Sequence, residues 1–572
     1  MQYSYNFYDS LTEKLERKSG LRETYEYYPD GSIKSAIAEG MRYSYSYYTN
    51  GSLKEKSASG KRLLSYEYDL NGNKIKQTDV TGKTTEYIYN ELDQLLEIHD
   101  GGKCITAFKY NDDGTIKEAV SANGMKNLYG YDTDKNLTSL SVNFNGKVLA
   151  QNRYAYDHNG NRTIKQQLRG RTYYTYDSIN QLTNVKYPDY EEQLFYDKAG
   201  NRSKRIVNDV TEYYLYDKRN RLIRQVFQQP TGTTAKHYIY DNAGNLMNDG
   251  ERIYKNDAFN RVTRVETTIG QVQINRYDAE GLRYEMEENK KLVQFIFNEN
   301  REVVVEQSSS DIKRLIRSYD LWASECEPEK TWYHYASDEQ GSTIFITDEE
   351  KICNKYDYDA WGNLTTCEEI IPNRFLYAGQ QFDQIIQQYY LRARFYNPVI
   401  ARFTKEDVYR GDGLNLYTYC DNNPVIYYDP SGYSACNGPG DKNPIEKKKL
   451  LPKEGEVGTY KDLIKNGEKG DNVTPHHMPA ADYMKSKGVS KNDGVAMNVE
   501  APYPGEGGRH RQTRSYGKKS DLNETPREAL ARDINDMRKI YKNDELYTPE
   551  IRKSLKEVIK LNKELYPDLF EK

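Results

Sequence analysis

A short tyrosine-rich motif recurs along most of this chain and constrains its fold more than any other feature. One copy is Tyr154-Ala155-Tyr156-Asp157 followed by Gly160-Asn161, and another is Tyr66-Glu67-Tyr68-Asp69 followed by Gly72-Asn73. Alternate tyrosines share one face of a strand, and Asp followed three residues later by Gly is typical of a tight turn. Each unit is therefore predicted to be a β-hairpin. Further copies place the acidic or amide residue at Asn90, Asn111, Asp132, Asp177, Asp197, Asp217, Asp241, Asp278 and Asp359.

The composition favours a long sheet over a conventional globular core. The chain has 55 Tyr against 14 Phe, 37% hydrophobic residues and a mean hydropathy of −0.96. A lone hairpin cannot bury its own face, so we expect successive hairpins to stack side by side into one continuous sheet. The tyrosine rings would form its inner face, with each hydroxyl wet or hydrogen-bonded. These tyrosines are predicted to be structural, and none is assigned to catalysis.

Cysteine usage and hydropathy argue against several classes of protein. The six cysteines are scattered without a C-x-x-C pair, which argues against a disulfide framework or a zinc ribbon. No apolar run approaches the roughly 18 residues that a membrane helix needs, and the first residues lack the pattern of a signal peptide. Export is therefore expected to depend on something outside this sequence. The cysteines are Cys104, Cys326, Cys353, Cys367, Cys420 and Cys436.

From Trp332 the repeat becomes a distinctive block that includes Tyr356-Asp357-Tyr358-Asp359-Ala360-Trp361-Gly362-Asn363 and ends at Asn422–Gly432. This block resembles the RHS-associated core of the RHS/YD-repeat proteins, a family of bacterial secreted toxins. The resemblance implies a mainly β protein, in which a YD-repeat β-hairpin sheet coils into a (partial) shell and a small α+β C-terminal toxin domain follows. Ala401 departs from the family, which usually has Gly before Arg402-Phe403.

The same resemblance suggests domain boundaries. YD/RHS repeats are predicted over residues 1–330 and the RHS-associated core over 331–436. A Gly/Pro/Lys linker is expected over 437–452, and a toxin domain over 453–572. The tail is mildly basic whereas the repeats are acidic, a split that fits an acidic shell around a basic payload and also fits ordinary solvated surfaces.

The junction motif Asp429-Pro430-Ser431-Gly432 carries the first candidate chemistry. In relatives, this motif marks where the shell protein cuts itself, with two aspartates acting as an aspartyl-protease-like pair. The resemblance implies that Asp429 and Asp407 form that pair, and that the cut lies between Gly432 and Tyr433. Tyr433 stands where cleaved relatives usually carry Leu. Asp before Pro is also a plain turn, so a structural role for Asp429 stays open.

Three histidines in the tail carry the second candidate chemistry. His476 and His477 are adjacent on a predicted strand, Asn498 lies on a second strand, and His510 follows it. Adjacent residues of a strand point in opposite directions, so one histidine could bind a metal while the other faces the substrate. This order is similar to the HNH/endonuclease VII superfamily of nucleases. The resemblance implies that His476 and His510 bind the metal, that His477 is the general base and that Asn498 orients it.

A basic segment around His510 completes this hypothesis. The cofactor would be a divalent ion, Mg, Mn or Zn, that stabilises the charge developing on the phosphate. The tail departs from the superfamily because only one His follows the second strand and no His-x-x-x-His pair exists. A satisfied structural cluster and a solvated loop remain the alternatives. The basic residues predicted to hold backbone phosphates are Arg509, Arg511, Arg514, Lys518 and Lys519. Arg509 is also counted with His477 and Asn498 among the predicted catalytic residues.

Two helices are predicted to close the chain as packing elements. Thr525-Pro526-Arg527-Glu528 combines an N-cap, a first-turn Pro and a capping-box Glu, and Thr548-Pro549 opens the second helix. Apolar residues follow both starts at helical spacing.

The leading functional prediction is a bacterial polymorphic toxin, whose repeat shell presents a metal-dependent nuclease against competing cells. Its expected partners are a nucleic acid substrate, a cognate immunity protein, and cell-wall or export-machinery contacts. The chain would be secreted or displayed at the cell surface as part of a larger exported protein, and the toxin domain would act in the target-cell cytoplasm. The alternative is a non-enzymatic wall-associated or carbohydrate-binding repeat protein with a folded adaptor tail.

Overall fold

The computed structural model describes residues 1–6, 10–408, 415–437, 450–467, 472–501, 508–516, 520–522, 524–543 and 546–570. The chain is mainly β, with 49% strand and 11% helix. It divides into two compact units, one made of residues 1–4 and 11–443 and the other of residues 5–10 and 444–572. The predicted mainly β fold class is confirmed.

The first 23 strands of the described chain form one antiparallel sheet in which consecutive strands pair. Polar and buried residues alternate along the strands, so Tyr154 is 6% exposed while Ala155 between the paired tyrosines faces solvent. In chain order β1 to β23 are Gln2–Tyr5, Leu11–Leu15, Arg22–Tyr27, Ile33–Ala38, Met41–Tyr47, Leu53–Ala58, Lys61–Tyr68, Lys74–Thr78, Thr84–Tyr89, Leu95–Asp100, Lys103–Tyr110, Ile116–Ser121, Lys126–Tyr131, Leu137–Phe144, Lys147–Tyr156, Arg162–Gln167, Gly170–Tyr176, Leu182–Lys186, Glu191–Tyr196, Arg202–Val207, Val210–Tyr216, Leu222–Gln229 and Gly232–His237.

A second antiparallel sheet of 14 described strands continues the same meander. Buried residues of its strands, including Phe295, Tyr335 and Tyr356, pack with residues that follow the sheet, such as Tyr377 and Tyr389, in the largest buried cluster of the repeat unit. In chain order β24 to β37 are Ile239–Tyr240, Leu246–Asn248, Arg252–Asn256, Val262–Thr267, Val272–Tyr277, Arg283–Glu288, Lys291–Phe297, Val303–Ser308, Ile312–Arg317, Leu321–Glu327, Thr331–Ser337, Thr343–Thr347, Ile352–Tyr358 and Leu364–Glu369.

The predicted Asp turn is present in the repeats with defined hydrogen bonds. Asp157 Oδ1 accepts from the backbone N–H groups of Asn159 and Asn161 at 2.8 and 2.9 Å. Its Oδ2 accepts from Asn161 Nδ2 at 3.1 Å. Gly160 has a φ of +80°, which an L side chain rarely adopts. Both carboxylate oxygens of a repeat aspartate are therefore used inside its own turn.

The second tyrosine of the motif ties each hairpin to the one before it. The hydroxyl of Tyr156 donates to the carbonyl of Leu137 at 2.8 Å, and that of Tyr176 donates to the carbonyl of Arg162 at 2.6 Å. Tyr196 and Tyr216 repeat the contact one hairpin further on. The predicted packing of tyrosine rings with bonded hydroxyls is therefore confirmed for these copies.

The two sheets also contact each other through buried ion clusters that the sequence pattern did not predict. Arg314 is 1% exposed and its guanidinium meets Asp79, Asp100 and Glu325 within 2.7 Å. If the two sheets packed in another register, Arg314 or its carboxylate partners would be buried without a compensating charge, which is unfavourable. These ion pairs therefore favour the observed packing of the two sheets.

The end of the repeat unit forms two small sheets that hold the junction. Short 3-10 turns occur at Tyr377–Gly379 and Cys420–Asn422. In chain order β38 to β41 are Gln381–Asp383, Gln388–Leu391, Arg394–Asn397 and Arg402–Phe403, and β42 and β43 are Tyr427–Tyr428 and Cys436–Asn437.

The tail unit packs helices on a three-stranded sheet whose central strand, Val495–Glu500, pairs with Val457–Thr459 on one side and Val473–His477 on the other. The described helices include none that is long and apolar enough to cross a bilayer. Thr525 N–H donates to Glu528 at 2.9 Å, and Ile551 N–H donates to Thr548 at 3.4 Å, so both predicted helix starts are confirmed. The strands β44 to β46 are Val457–Thr459, Val473–His477 and Val495–Glu500, and the helices α1 to α6 are Tyr460–Asn466, Ala481–Ser486, Arg509–Gln512, Pro526–Asn543, Pro549–Leu565 and Pro567–Phe570.

Candidate functional site

Asp429 forms the tight turn at the junction with one carboxylate oxygen. Its Oδ1 accepts from the N–H groups of Ser431 at 3.0 Å and Gly432 at 2.7 Å, and from the Ser431 hydroxyl at 3.2 Å. The residue is 2% exposed. These bonds leave Oδ2 outside the turn, so the turn role and a chemical role are compatible at this residue.

Arg394 brings the two predicted aspartates together. Its Nη2 lies 2.8 Å from Asp407 Oδ2 and 3.7 Å from Asp429 Oδ2. The guanidinium carbon stacks 3.5 Å from the centre of the Phe403 ring, which fixes its plane. The structure thus places Asp407 and Asp429 in one buried cluster with a shared cation.

The same guanidinium also contacts the peptide bond predicted to be cut. Arg394 Nε donates to the carbonyl oxygen of Gly432. A cationic donor on a peptide carbonyl draws electron density from its carbon and stabilises an oxyanion that forms there. Sequence reasoning missed Arg394, because Arg392 two residues earlier lies in the same motif and nothing local distinguishes the two.

The protonation of Asp429 differs from that of an exposed aspartate. Burial raises the pKa of Asp429 from its usual value, although hydrogen bonds from the turn and the charge of Arg394 act in the opposite direction. A cavity of about 20 Å³ lies beside the pair and is lined by Arg394, Asp407 and Asp429 together with Ser434 and Ala435. A cavity of this size accommodates one water molecule.

Gly432 is held in a conformation that only glycine accepts at this position. Its φ is +75°, and a Cβ would lie 2.5 Å from the carbonyl oxygen of Leu391 and 2.9 Å from Arg394 N. The neighbouring backbone is pinned as well, because Ala393 N–H donates to the carbonyl of Ser431 at 3.1 Å. The candidate scissile peptide is therefore pressed against β39 and β40.

In the tail, strand register separates the predicted residues into two pairs. His477 lies opposite Ala496 and Pro475 lies opposite Asn498, so His477 and Asn498 share one face of the sheet. His476 lies opposite Met497 on the other face, where its ring centre is 5.2 Å from that of His510. The pairing matches the predicted division into a base with its orienting residue and two metal ligands, whose roles stay predictions.

His477 is oriented by its surroundings. Its ring stacks on Tyr460 at 4.5 Å, and Nε2 donates to the carbonyl of Lys491 at 2.8 Å. A neutral imidazole that donates from Nε2 keeps its lone pair on Nδ1. Burial lowers the pKa of His477, so the ring is neutral near pH 7 and Nδ1 can accept a proton. His477 is 7% exposed.

His476 and His510 form a neutral pair. Burial, followed by the charges of His510 and His477, lowers the pKa of His476 to about 3. Burial also lowers the pKa of His510. Neutral imidazoles are the form in which histidine binds a metal, so this donor set fits two positions of a divalent ion. Among the described residues of the tail, no third His, Cys, Asp or Glu lies close enough to complete a set of three.

The other predicted residues have distinct environments. Arg509 is 1% exposed and forms a bidentate ion pair with Glu454, at 2.7 and 2.8 Å, so its guanidinium holds α3 to the rest of the tail. Asn498 is 2% exposed, and its Oδ1 has no hydrogen-bond partner among the described atoms. Arg511 and Arg514 are exposed, whereas Lys518 and Lys519 lie outside the described residues.

Two family models match the repeat unit. The Teneurin YD-shell model matches residues 162–425 and the RHS Repeat model matches residues 68–103. Among solved structures, TcdB2-TccC3 without its hypervariable C-terminal region aligns with a TM-score of 0.54 at 16% identity, over 74% of this chain and 27% of that one. TcdB2-TccC3-Cdc42 aligns with a TM-score of 0.51 at 14% identity, over 76% of this chain and 30% of that one. The repeat unit therefore has the fold of these proteins.

Two relatives that match this chain in sequence have named activities. The chain is 28% identical over 372 residues to the tRNA nuclease WapA of Bacillus subtilis (strain 168), which covers 61% of this chain and 16% of the relative. It is 32% identical over 112 residues to Double-stranded DNA deaminase toxin A of Burkholderia cenocepacia (strain H111), which covers 18% of this chain and 8% of the relative. The chain thus spans a small part of each relative, and the activities named for the two relatives differ.

Proposed function

We propose that this chain, whose repeats belong to the RHS/YD-repeat shell family, is part of a polymorphic toxin that cuts itself after Gly432 and carries a nuclease in its tail. The observation that carries the first half is the contact of one guanidinium with Asp407, with Asp429 and with the Gly432 carbonyl. The histidine pairs of the tail support the second half.

For self-cleavage, Asp429 is the proposed general acid and Asp407 the proposed general base. Asp429, whose pKa is raised by burial, keeps a proton and gives it to the reacting peptide. Asp407 is held by Arg394 at 2.8 Å and takes a proton from water. The water oxygen bonds to the Gly432 carbon while Arg394 stabilises the oxyanion. The C–N bond then breaks, and the proton from Asp429 leaves with the amine of Tyr433.

For the tail, His477 is proposed as the general base through Nδ1, with Nε2 anchored on the Lys491 carbonyl. Asn498 lies on the same face and would limit rotation of the imidazole. The exposed Arg511 and Arg514 would hold backbone phosphates, whereas the buried Arg509 positions α3. Lys518 and Lys519 keep their predicted role as phosphate contacts.

His476 and His510 would hold a divalent ion, Mg, Mn or Zn, which would stabilise the developing charge on the phosphate. Burial keeps both rings neutral, as a metal ligand requires. The proposed partners are a nucleic acid, following the nuclease names of the WapA relatives, and a cognate immunity protein in the producing cell. The proposed route is export as part of a larger surface or secreted protein, with cell-wall or export-machinery contacts and toxin action in the target-cell cytoplasm.

The nuclease half is tested with the full-length protein and its released tail. His477→Gln should lower the hydrolysis rate of tRNA, total RNA or plasmid DNA by about 10² to 10⁴. His158→Gln, which changes an exposed histidine on a repeat turn, is the matched control and should leave the rate unaltered. His476→Gln and His510→Gln should weaken manganese binding, whereas His477→Gln should not.

Two outcomes would end the nuclease proposal. One is a folded wild-type tail that leaves all three nucleic acids intact with magnesium, manganese or zinc present. The other is a His477→Gln variant that cleaves as fast as the wild type. Either result would favour the adaptor alternative and would leave self-cleavage at Gly432 as a separate question.

A further inference from the structure

Three metal-ligating side chains of different types meet on the outer face of the first sheet, far along the chain from the junction and the tail. One ligand atom each from Glu97, His99 and Cys104 lies within 4.8 Å of the other two. It is the one such trio of His, Cys, Asp or Glu in the described part of the chain. All three side chains are half-buried, so they are fixed by neighbours and remain reachable.

The strand register explains why they meet. Glu97 and His99 are two residues apart on β10, so they point to the same face, and His99 lies directly opposite Cys104 on β11. Ile98 between them is fully buried in the aromatic core of the sheet. The trio is therefore on the outward face, supported from below by a packed core rather than by a mobile loop.

A candidate for a fourth ligand lies on the other neighbouring strand. Glu86 on β9 lies directly opposite His99, and its side chain is exposed on the same outward face. His99 is thus flanked by a carboxylate on β9 and a thiol on β11, and its Nε2 is 2.6 Å from Glu97 Oε2. A ring nitrogen, a sulfur and one carboxylate therefore lie together on β10 and β11, and the Glu86 carboxylate comes from the neighbouring strand β9.

We propose that Glu97, His99 and Cys104, with Glu86 as the fourth ligand, form a binding site for a zinc-like divalent cation that fastens β9, β10 and β11 together. Mixed nitrogen, sulfur and oxygen ligands are the set that Zn²⁺ accepts in tetrahedral sites, whereas Mg²⁺ and Ca²⁺ take oxygen ligands. Ligand atoms around tetrahedral zinc are about 3.5 Å apart. Side-chain rotation would therefore separate His99 Nε2 from Glu97 Oε2, which are 2.6 Å apart, and adjust the remaining distances, which are at most 4.8 Å. The Cys104 thiol releases its proton to solvent when the cation binds.

The inference does not rest on the nuclease or on self-cleavage. The tail after Gly432 contains one cysteine, Cys436, next to the junction, and the proposed tail ligands are histidines alone. A signal that requires both a thiolate and His99 therefore reports this site and not the tail.

The test is a titration of the full-length protein with Co²⁺, which gives a thiolate-to-metal charge-transfer band in the near ultraviolet, followed by competition with Zn²⁺. The wild type should show the band and lose it when Zn²⁺ displaces Co²⁺. Cys104→Ser and His99→Gln should abolish the band, and Glu86→Gln should weaken Co²⁺ binding by about tenfold or more. Cys367→Ser is the matched control, because Cys367 is an exposed cysteine on another strand, β37, and it should retain the band.

Circular dichroism accompanies each variant, and the outward position of these side chains predicts unaltered spectra. Zn²⁺ should also raise the thermal midpoint of the wild type and of Cys367→Ser, and by a smaller amount that of Cys104→Ser or His99→Gln, in which only the proposed tail site can bind it. The proposal is overturned by a wild-type protein without the band, or by a band that persists in Cys104→Ser or His99→Gln. Unaltered affinity in Glu86→Gln would remove the fourth ligand.

Discussion

The aspartate turns of the repeats and the Asp429 turn at the junction share one half of their hydrogen bonding and differ in the other half. In the repeat, Asp157 Oδ1 accepts two backbone N–H groups and Oδ2 accepts from Asn161 of the same turn. At the junction, Asp429 Oδ1 also accepts two backbone N–H groups, but Oδ2 faces Arg394. In the repeat, both carboxylate oxygens form hydrogen bonds within the turn. At the junction, one oxygen does so, and the other lies near Arg394, which also contacts the carboxylate of Asp407.

This difference indicates what the junction turn has in addition to a repeat turn. Both turns have a glycine with a left-handed φ three residues after the aspartate, at +80° for Gly160 and +75° for Gly432. The second N–H donor to Oδ1 differs, because it is four residues after Asp157 and three residues after Asp429. What is new comes from residues distant in sequence, because Arg394 and Asp407 arrive from β40 and from the segment after β41. A turn aspartate thus becomes a candidate catalytic group when its free oxygen meets a buried partner.

The largest expected effect is a loss of self-cleavage rate when the junction aspartates are changed, which does not occur when a repeat aspartate is changed. Asp429→Asn or Asp407→Asn should slow self-cleavage by about 10² to 10⁴, because each removes one member of the acid–base pair. Asp157→Asn makes the same chemical change in a repeat turn and should leave the cleavage rate within about twofold of the wild type. The measurement is the rate of fragment appearance on a denaturing gel after cell-free synthesis. Equal effects of Asp429→Asn and Asp157→Asn would mean that Asp429 only shapes the turn.

The pH dependence of cleavage should sharpen the comparison further. Burial raises the pKa of Asp429, so its carboxyl is protonated below that raised value and loses its proton as pH rises through it. If Asp429 is the acid, the cleavage rate should fall about tenfold per pH unit above that pKa, and the midpoint should lie above the ordinary 3.8. Rates are followed from pH 4 to 8 in buffers of one ionic strength. A rate that rises steadily across this range would contradict the assignment of Asp429 as the acid.

The smallest expected effect is the difference in stability between alanine substitutions of the two turn glycines, Gly160 and Gly432. In Gly160→Ala, the new Cβ has no atom within 4 Å. The substitution should lower the free energy of unfolding by about 1 to 2 kcal/mol, because alanine is strained in the left-handed conformation. Gly432→Ala adds the overlap with the Leu391 carbonyl and Arg394 N, so it should lower the thermal midpoint more and also slow cleavage. Differential scanning fluorimetry of both variants in an Asp407→Asn background measures the stability effect without cleavage. Equal shifts for the two glycines would show that the junction backbone relaxes.

Local features of this fold could be predicted from the sequence, and long-range features could not. The Tyr-x-Tyr-Asp repeat predicted the hairpins and turns, and Thr525 and Thr548 marked the helix starts, because each signal acts within a few residues. The buried cluster of Arg314 joins residues more than 200 positions apart and leaves no local pattern.

The candidate sites follow the same division. The aspartates and histidines could be found as residue types, since motif and spacing indicate them. Arg394 could not be found, because its role depends on meeting Gly432 and Asp407 in space. The burial of Arg509 against Glu454 was equally hidden, because exposed and buried arginines look alike in a basic segment.

The most direct test of the central claim is mass spectrometry of the full-length chain synthesised in ¹⁸O-labelled water. Attack by water on the Gly432 carbonyl predicts two fragments, one beginning at Tyr433 and one ending at Gly432 with a single ¹⁸O in its new carboxylate. The Asp429→Asn protein should give only the intact mass. An intact wild-type chain, a cut at another peptide bond, or an unlabelled Gly432 carboxylate would contradict the account.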